Sequence, residues 1–167
     1  MCNLSVFLYV NKANKKFLTM INKPDKIAIA SDHAGFALKQ KIKSFLQERA
    51  IEPFDFGTDS EESTDYPDYV HPLAEAIGKG QFELGIVICG SGNGVNITAN
   101  KHAHIRSALC WIPEIATLAR QHNDANVLAM PARFIDEKLA REITEAFLDA
   151  TFQGGRHKTR VNKIGCS

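Results

Sequence analysis

From Lys26 onward, short apolar runs alternate with longer stretches in which apolar positions recur every three or four residues. The runs Lys26–Ser31, Glu52–Phe56, Leu84–Cys89, Ile105–Cys110 and Asn126–Met130 are mostly apolar rather than alternating, as strands covered on both faces must be. They predict a parallel sheet. Between them Leu38, Ile42, Phe45 and Leu46 share one helical face, as do Val70, Leu73, Ala74 and Ile77. Pro67 and Pro113 suit first helical turns, where the missing N–H would have had no partner. Val95–Lys101 is expected to be helical, and Asp136 to cap a last helix marked by Leu139, Ile143 and Phe147. Strand–helix alternation with right-handed crossovers gives an α/β fold: a three-layer, Rossmann-like, doubly wound sandwich around a five-stranded parallel sheet. Ligands of such sheets bind beyond the C-terminal ends of the strands, so chemistry is expected just after each strand.

Residues 1–25 stand apart. Their apolar run, Leu4 to Val10, precedes the lysines, the reverse of a secretory signal, and they lack the arginines of a transit peptide. They are read as an N-terminal extension outside the fold, leaving residues 26–167 as one domain with a basic, unburied tail from Gly154 to Arg160. The 167 residues suit a single domain of ~100–200 residues. Twenty basic against 19 acidic side chains leave a charge of +1, so no nucleic-acid partner is expected. No run approaches the ~20 apolar residues of a membrane span, so no membrane partner is expected either. Cys2, Cys89, Cys110 and Cys166 show neither CxxC nor metal-ligand spacing. That argues against a zinc site or a disulfide framework and for a reducing, cytoplasmic setting.

Two strands end in suggestive turns. Asp32-His33-Ala34-Gly35 follows the first; either Asp32 caps a helix and His33 is a solvated loop histidine, or both face a ligand. Cys89-Gly90-Ser91-Gly92-Asn93-Gly94 follows the third. Its glycines let N–H groups turn inward, and the following helix N-terminus favours negative charge, including a Cys89 thiolate acting as base or nucleophile. A buried, inert cysteine beside a structural turn is the alternative. The loop is no dinucleotide fingerprint, which would read GxGxxG after the first strand with an acidic residue ~20 residues on. It lacks the lysine of a P-loop, and no arginine closes it as in a cysteine phosphatase. His122, followed by Asn123, fits an ordinary helix C-cap or a proton shuttle near neutral pH. Arg133 follows the fifth strand, and Arg156 and Arg160 are spaced i, i+4 around His157. Forked guanidiniums match phosphate oxygens; a solvated basic terminus is the alternative.

Ser31 to Phe36, Asp55-Phe56-Gly57-Thr58, Asp65-Tyr66-Pro67-Asp68-Tyr69, Cys89-Gly90-Ser91-Gly92, Ala99-Asn100-Lys101, Gln121 to Leu128 and Gly154-Gly155-Arg156-His157 together resemble the type B ribose-5-phosphate isomerases. The wider superfamily includes the galactose-6-phosphate isomerase subunits. The resemblance runs from about Lys26 to Ile164. It implies an aldose–ketose isomerase of the pentose phosphate pathway that interconverts ribose 5-phosphate and ribulose 5-phosphate without metal or cofactor. A six-carbon phosphosugar isomerase and a non-catalytic phosphosugar binder are the alternatives. By the resemblance, Cys89 is the base that moves a proton from C2 to C1, His122 opens the sugar ring, and Ser91 bonds the sugar or the base. Gly90, Gly92, Asn93 and Gly94 supply N–H groups to the enediolate oxygen. Asp32, Tyr66 and Asn123 contact sugar hydroxyls, while His33, Arg133, Arg156 and Arg160 bind the phosphate. Such enzymes are homodimers or homotetramers with sites shared between chains, so His122 and some of the arginines are expected to act across an interface.

Overall fold

The computed structural model describes residues 24–165. Five strands, β1 (Lys26–Ser31), β2 (Glu52–Asp55), β3 (Gly85–Cys89), β4 (Ser107–Leu109) and β5 (Val127–Pro131), form one all-parallel sheet in the order β2-β1-β3-β5-β4. A short 3-10 turn, His33–Gly35, follows β1. The helices are α1 (Phe36–Glu48), α2 (Pro67–Gly78), α3 (Asn93–Ala99), α4 (Pro113–Asn123), α5 (Glu137–Asp149) and α6 (Arg156–Val161). The expected doubly wound sandwich is therefore what the chain forms.

Successive side chains on a strand face opposite ways, so a strand buried on both sides feeds two cores. Ile27 and Ile29 meet Ile42, Leu46, Ile143 and Phe147 from α1 and α5, with Ala116 from α4. Ala28 and Ala30 meet Val70, Leu73, Val95 and Ala99 from α2 and α3. Each fully buried large apolar side chain stabilises the fold by ~1.5–3 kcal/mol. Pro67 and Pro113 open their helices as expected, and Asp136 caps α5 by accepting the Leu139 N–H at 2.8 Å.

β2, β3 and β5 match the expected runs to within one residue at either end, and larger departures occur elsewhere. β4 is three residues rather than six, because the Ile105 N–H turns back to the His102 carbonyl and only Ser107 to Leu109 run in register with β5. α3 begins at Asn93, two residues early. The basic tail is not free of the fold: α6 packs on α4, the Gln153 N–H bonds to Gln121 O, and His157 is buried. A six-residue helix is too short to display a periodic apolar stripe, so that packing left no pattern in the sequence. Most of the N-terminal extension, residues 1–23, lies outside the described residues.

Both sheet edges are blocked. On β2, Glu52 and Phe56 turn their N–H groups to the β1 side, so the intervening Pro53, which has no N–H, faces outward. On β4, the Asn100 amide takes the place of a neighbouring strand: its Nδ2 donates to Ser107 O and its Oδ1 accepts the Ser107 N–H, each at 2.9 Å. Among the described residues no helix is long and apolar enough to cross a membrane.

Candidate active site

The strand order reverses between β1 and β3, which opens a crevice beyond their C-terminal ends. Asp32 sits there as a genuine cap, 7% exposed, its carboxylate accepting the Gly35 N–H at 3.0 Å. Gly35 lies so close to β3 that a Cβ would stand 2.5 Å from the Ile88 carbonyl oxygen. This contact holds the turn carrying His33 against the end of the Cys89 strand. His33 Nδ1 accepts the Thr64 N–H at 3.2 Å. Tyr66, which precedes α2, lays its ring over Gly94, where a Cβ would be 2.6 Å from it.

Cys89 ends β3, 4% exposed, and the Gly92 N–H donates to its sulfur at 3.1 Å. A fixed N–H dipole is thereby directed at the sulfur. Gly92 reaches this position with φ +74°, and a Cβ there would stand 2.3 Å from Leu109; only glycine meets both demands. The Asn93 N–H donates to Ser91 Oγ at 3.3 Å, so in this conformation the two N–H groups serve Cys89 and Ser91 rather than an incoming oxygen. Arg133 closes the group. Its N–H bonds to Gly90 O at 3.0 Å, and its guanidinium lies flat enough on Gly90 that a Cβ would be 3.1 Å from Nε. Asp32, His33, Tyr66, the loop Cys89 to Gly94 and Arg133 thus gather at the C-terminal end of the sheet.

His122 and Asn123 lie at the N-terminal end of the sheet, and α6, which carries Arg156 and Arg160, packs on their helix, α4. Helices return antiparallel to the strands, so α4 ends where strands begin. Three residues beyond Asn123, Asn126 O accepts the N–H of Gly85, the first residue of β3. Cys89 lies four residues further along β3, ~13 Å away at ~3.3 Å per residue. The left-handed residue closing α4 is Asp124, φ 48°, and not Asn123 as its residue type suggested. The His122 ring stacks on His157, with centroids 4.1 Å apart and planes at 6°. Burial, together with His122, Arg156 and Arg160, holds His157 below the ordinary histidine pKa of 6.5. The helical α6 does place Arg156 and Arg160 one turn apart.

Residues 27–164 match the model of the Ribose/Galactose Isomerase family. The chain belongs to that family. It is 49% identical over 139 residues to ribose-5-phosphate isomerase B of Escherichia coli, covering 83% of this chain and 93% of that one. Among solved structures, ribose-5-phosphate isomerase B of Clostridium thermocellum superposes with a TM-score of 0.83 at 51% identity, over 84% of this chain and 95% of that one. The Mycoplasma genitalium enzyme, solved with bound ribulose-5-phosphate, superposes at 0.80 with 40% identity, over 83% of this chain and 93% of that one.

Within this family member, several residues that shape the site had not been singled out from the sequence. Lys39, fully buried, donates to Asp55 Oδ1 at 2.7 Å and to Thr58 O at 2.6 Å, fixing the start of the loop that leads to Tyr66. A signal existed: Lys39 stands three residues before Ile42 and seven before Leu46, on the buried stripe of α1. Arg106 donates to Asn123 O at 3.1 Å, to Asp124 O at 2.8 Å and to the Asp124 carboxylate at 2.7 Å, and so holds the turn that follows His122. No local pattern links positions so far apart in sequence. Among the described residues no three histidine, cysteine or acidic side chains gather as a metal site.

Proposed function

We propose that this chain interconverts ribose 5-phosphate and ribulose 5-phosphate, with Cys89 as the base. The observation that carries the assignment is the buried Cys89 sulfur, held by the Gly92 N–H in the β1/β3 crevice beside the turn that carries His33. After the ring opens, the C2 proton passes to the Cys89 thiolate and the electron pair forms the C1=C2 bond, leaving negative charge on O1. The proton of the C2 hydroxyl moves to O1. The sulfur then returns its proton to C1 as the C2 carbonyl forms, so no atom or electron is gained or lost. Asp32 and Tyr66 bind the sugar hydroxyls, and His33 and Arg133 hold the phosphate, whose binding fixes a small, flexible substrate in reactive geometry. Ser91 and the N–H groups of Gly90 to Gly94 take the enediolate oxygen as the loop adjusts to the sugar.

The remaining half of the site comes, in this proposal, from a second copy. Within one chain His122 and Asn123 end α4 near the start of β3, about a strand's length from Cys89 and beyond the reach of one sugar phosphate, and Arg156 and Arg160 ride on α6, which packs on α4. Trp111, Ile112 and Phe134, which follow β4 and β5 at the Cys89 edge, are exposed large apolar side chains suited to burial against a partner. The partner's His122 then opens the ring, and the partner's Arg156 and Arg160 complete the phosphate clamp. The scattered cysteines fit a cytoplasmic setting.

The test is steady-state conversion of ribose 5-phosphate by the purified chain with chelator present, beside Cys89→Ala and a six-carbon phosphosugar. Chelator-resistant turnover of the pentose that vanishes in Cys89→Ala is the expected result. Turnover of the hexose phosphate alone would replace the substrate and keep the base. Binding of phosphosugar without turnover would remove the catalytic assignment.

A further inference from the structure

The segment between β2 and α2 is tied down at both ends. At its start, the Gly57 carbonyl accepts the Ser31 N–H at 2.7 Å and the Thr58 N–H donates to Ser31 O at 2.8 Å. Asp55 Oδ1 accepts the Gly57 N–H at 3.0 Å, and the buried Lys39 ammonium bridges Asp55 to Thr58 O. Tyr69 spans the segment: its ring packs against Gly57, where a Cβ would be 2.3 Å away, and its hydroxyl shares a 2.8 Å hydrogen bond with Thr64 Oγ1. The strapped segment ends by presenting the Thr64 N–H to His33 Nδ1.

That last bond has a chemical consequence. A backbone N–H can only donate, so Nδ1 must offer its lone pair, and a neutral imidazole then carries its proton on Nε2. We propose that Thr64 and Tyr69 are positioning residues that hold His33 as the Nε2–H tautomer, so that His33 meets the substrate phosphate as a hydrogen-bond donor. The other tautomer would offer the phosphate a lone pair and lose the Thr64 bond. This inference rests on the phosphate role assigned to His33 above. It adds which nitrogen does the work and what fixes it.

Nitrogen-15 NMR of the histidine side chains in the full-length protein at pH 8, assigned with His33→Gln, reads the tautomer without any substrate. The expected result is Nε2–H for His33. Observation of Nδ1–H would overturn the proposal. Thr64→Pro removes the N–H, and there the tautomer preference should fall and KM for ribose 5-phosphate should rise roughly tenfold, the loss of about one hydrogen bond, with kcat changed far less. Should the proline disrupt folding, Tyr69→Phe keeps the ring against Gly57 while freeing Thr64, and should raise KM several-fold in the same direction. An unaltered tautomer and KM in a folded variant of either kind would sink the positioning role. If the chain turns over no phosphosugar at all, the NMR result still decides the tautomer, so the two failures are told apart.

Discussion

Cys89 and Cys110 are both buried strand-end cysteines, yet their surroundings set them apart. Burial alone pushes the Cys110 thiol up to about 12, with nothing to stabilise a thiolate, whereas the Cys89 sulfur receives an N–H. Iodoacetamide is therefore expected to abolish turnover through Cys89, with bound ribose 5-phosphate protecting; equal alkylation with and without the sugar would argue against a base in the sugar pocket. If Cys89 is the base proposed above, Cys89→Ala should lower kcat at least ~100-fold. Two glycines make a matched pair at this scale. A Cβ at Gly94 meets the half-exposed Tyr66 ring, which can swing away, so Gly94→Ala should raise KM with little change in Tm. A Cβ at Gly35 meets the Ile88 backbone, which cannot, so Gly35→Ala should cost ~1–3 kcal/mol in thermal or urea unfolding.

Among the elements, α1 carries an unusual load, because Lys39 brings a charge into the interior with no exposure. Lys39→Met leaves the Thr58 carbonyl without its donor while Asp55 keeps Lys43, so a loss of ~1–3 kcal/mol is expected by chemical denaturation. The same cluster gives acid sensitivity. Burial alone would raise the Asp55 pKa, but Lys39, Lys43 and the Gly57 N–H outweigh it and hold the carboxyl below 3.8. A group depressed on folding stabilises above its unfolded value and loses that contribution as pH falls through the folded one. Stability should therefore drop below about pH 3.8, and Asp55→Asn should flatten the drop. His157 behaves likewise higher on the scale: its depressed pKa adds stability above 6.5 that is lost as pH falls below it, which circular dichroism titration of His157→Gln against the parent chain can read. The strands and the α1, α2 and α5 stripes were legible in the sequence because each repeats an apolar period over a full element. The two caps, Asp32 and Asp136, were legible from residue type and position. What escaped was set by tertiary contact: the burial of His157 by a stacked ring, the left-handed Asp124 pinned by Arg106, and the shortened β4, whose apolar Ile105 is buried in the core outside the strand. The residues at the candidate site were readable largely through resemblance to a family. Position after a strand alone pointed to Asp32, His33, the Cys89 loop and Arg133, and left His122 open between a helix end and a proton shuttle.

At the scale of the whole molecule, the separation of Cys89 from His122 becomes a statement about assembly. If a two-fold dimer shares its sites, mixing inactive Cys89→Ala with inactive His122→Asn subunits rebuilds one intact site in each mixed dimer. Random exchange then restores about a quarter of the parent activity. No recovery after verified subunit exchange would mean that each chain works alone. How the copies can meet is constrained by the two blocked sheet edges. Neither Pro53 on β2 nor the Asn100 amide beside β4 leaves a continuous row of free backbone groups for another chain to extend. A second copy of the proposed dimer would therefore be recognised through side chains, whose shape and charge differ between proteins, and not through the backbone, which every protein shares. The blocked edges make the molecule a poor template for strangers, and Asn100→Ala, by unmasking Ser107, should turn that selectivity into indiscriminate aggregation on heating.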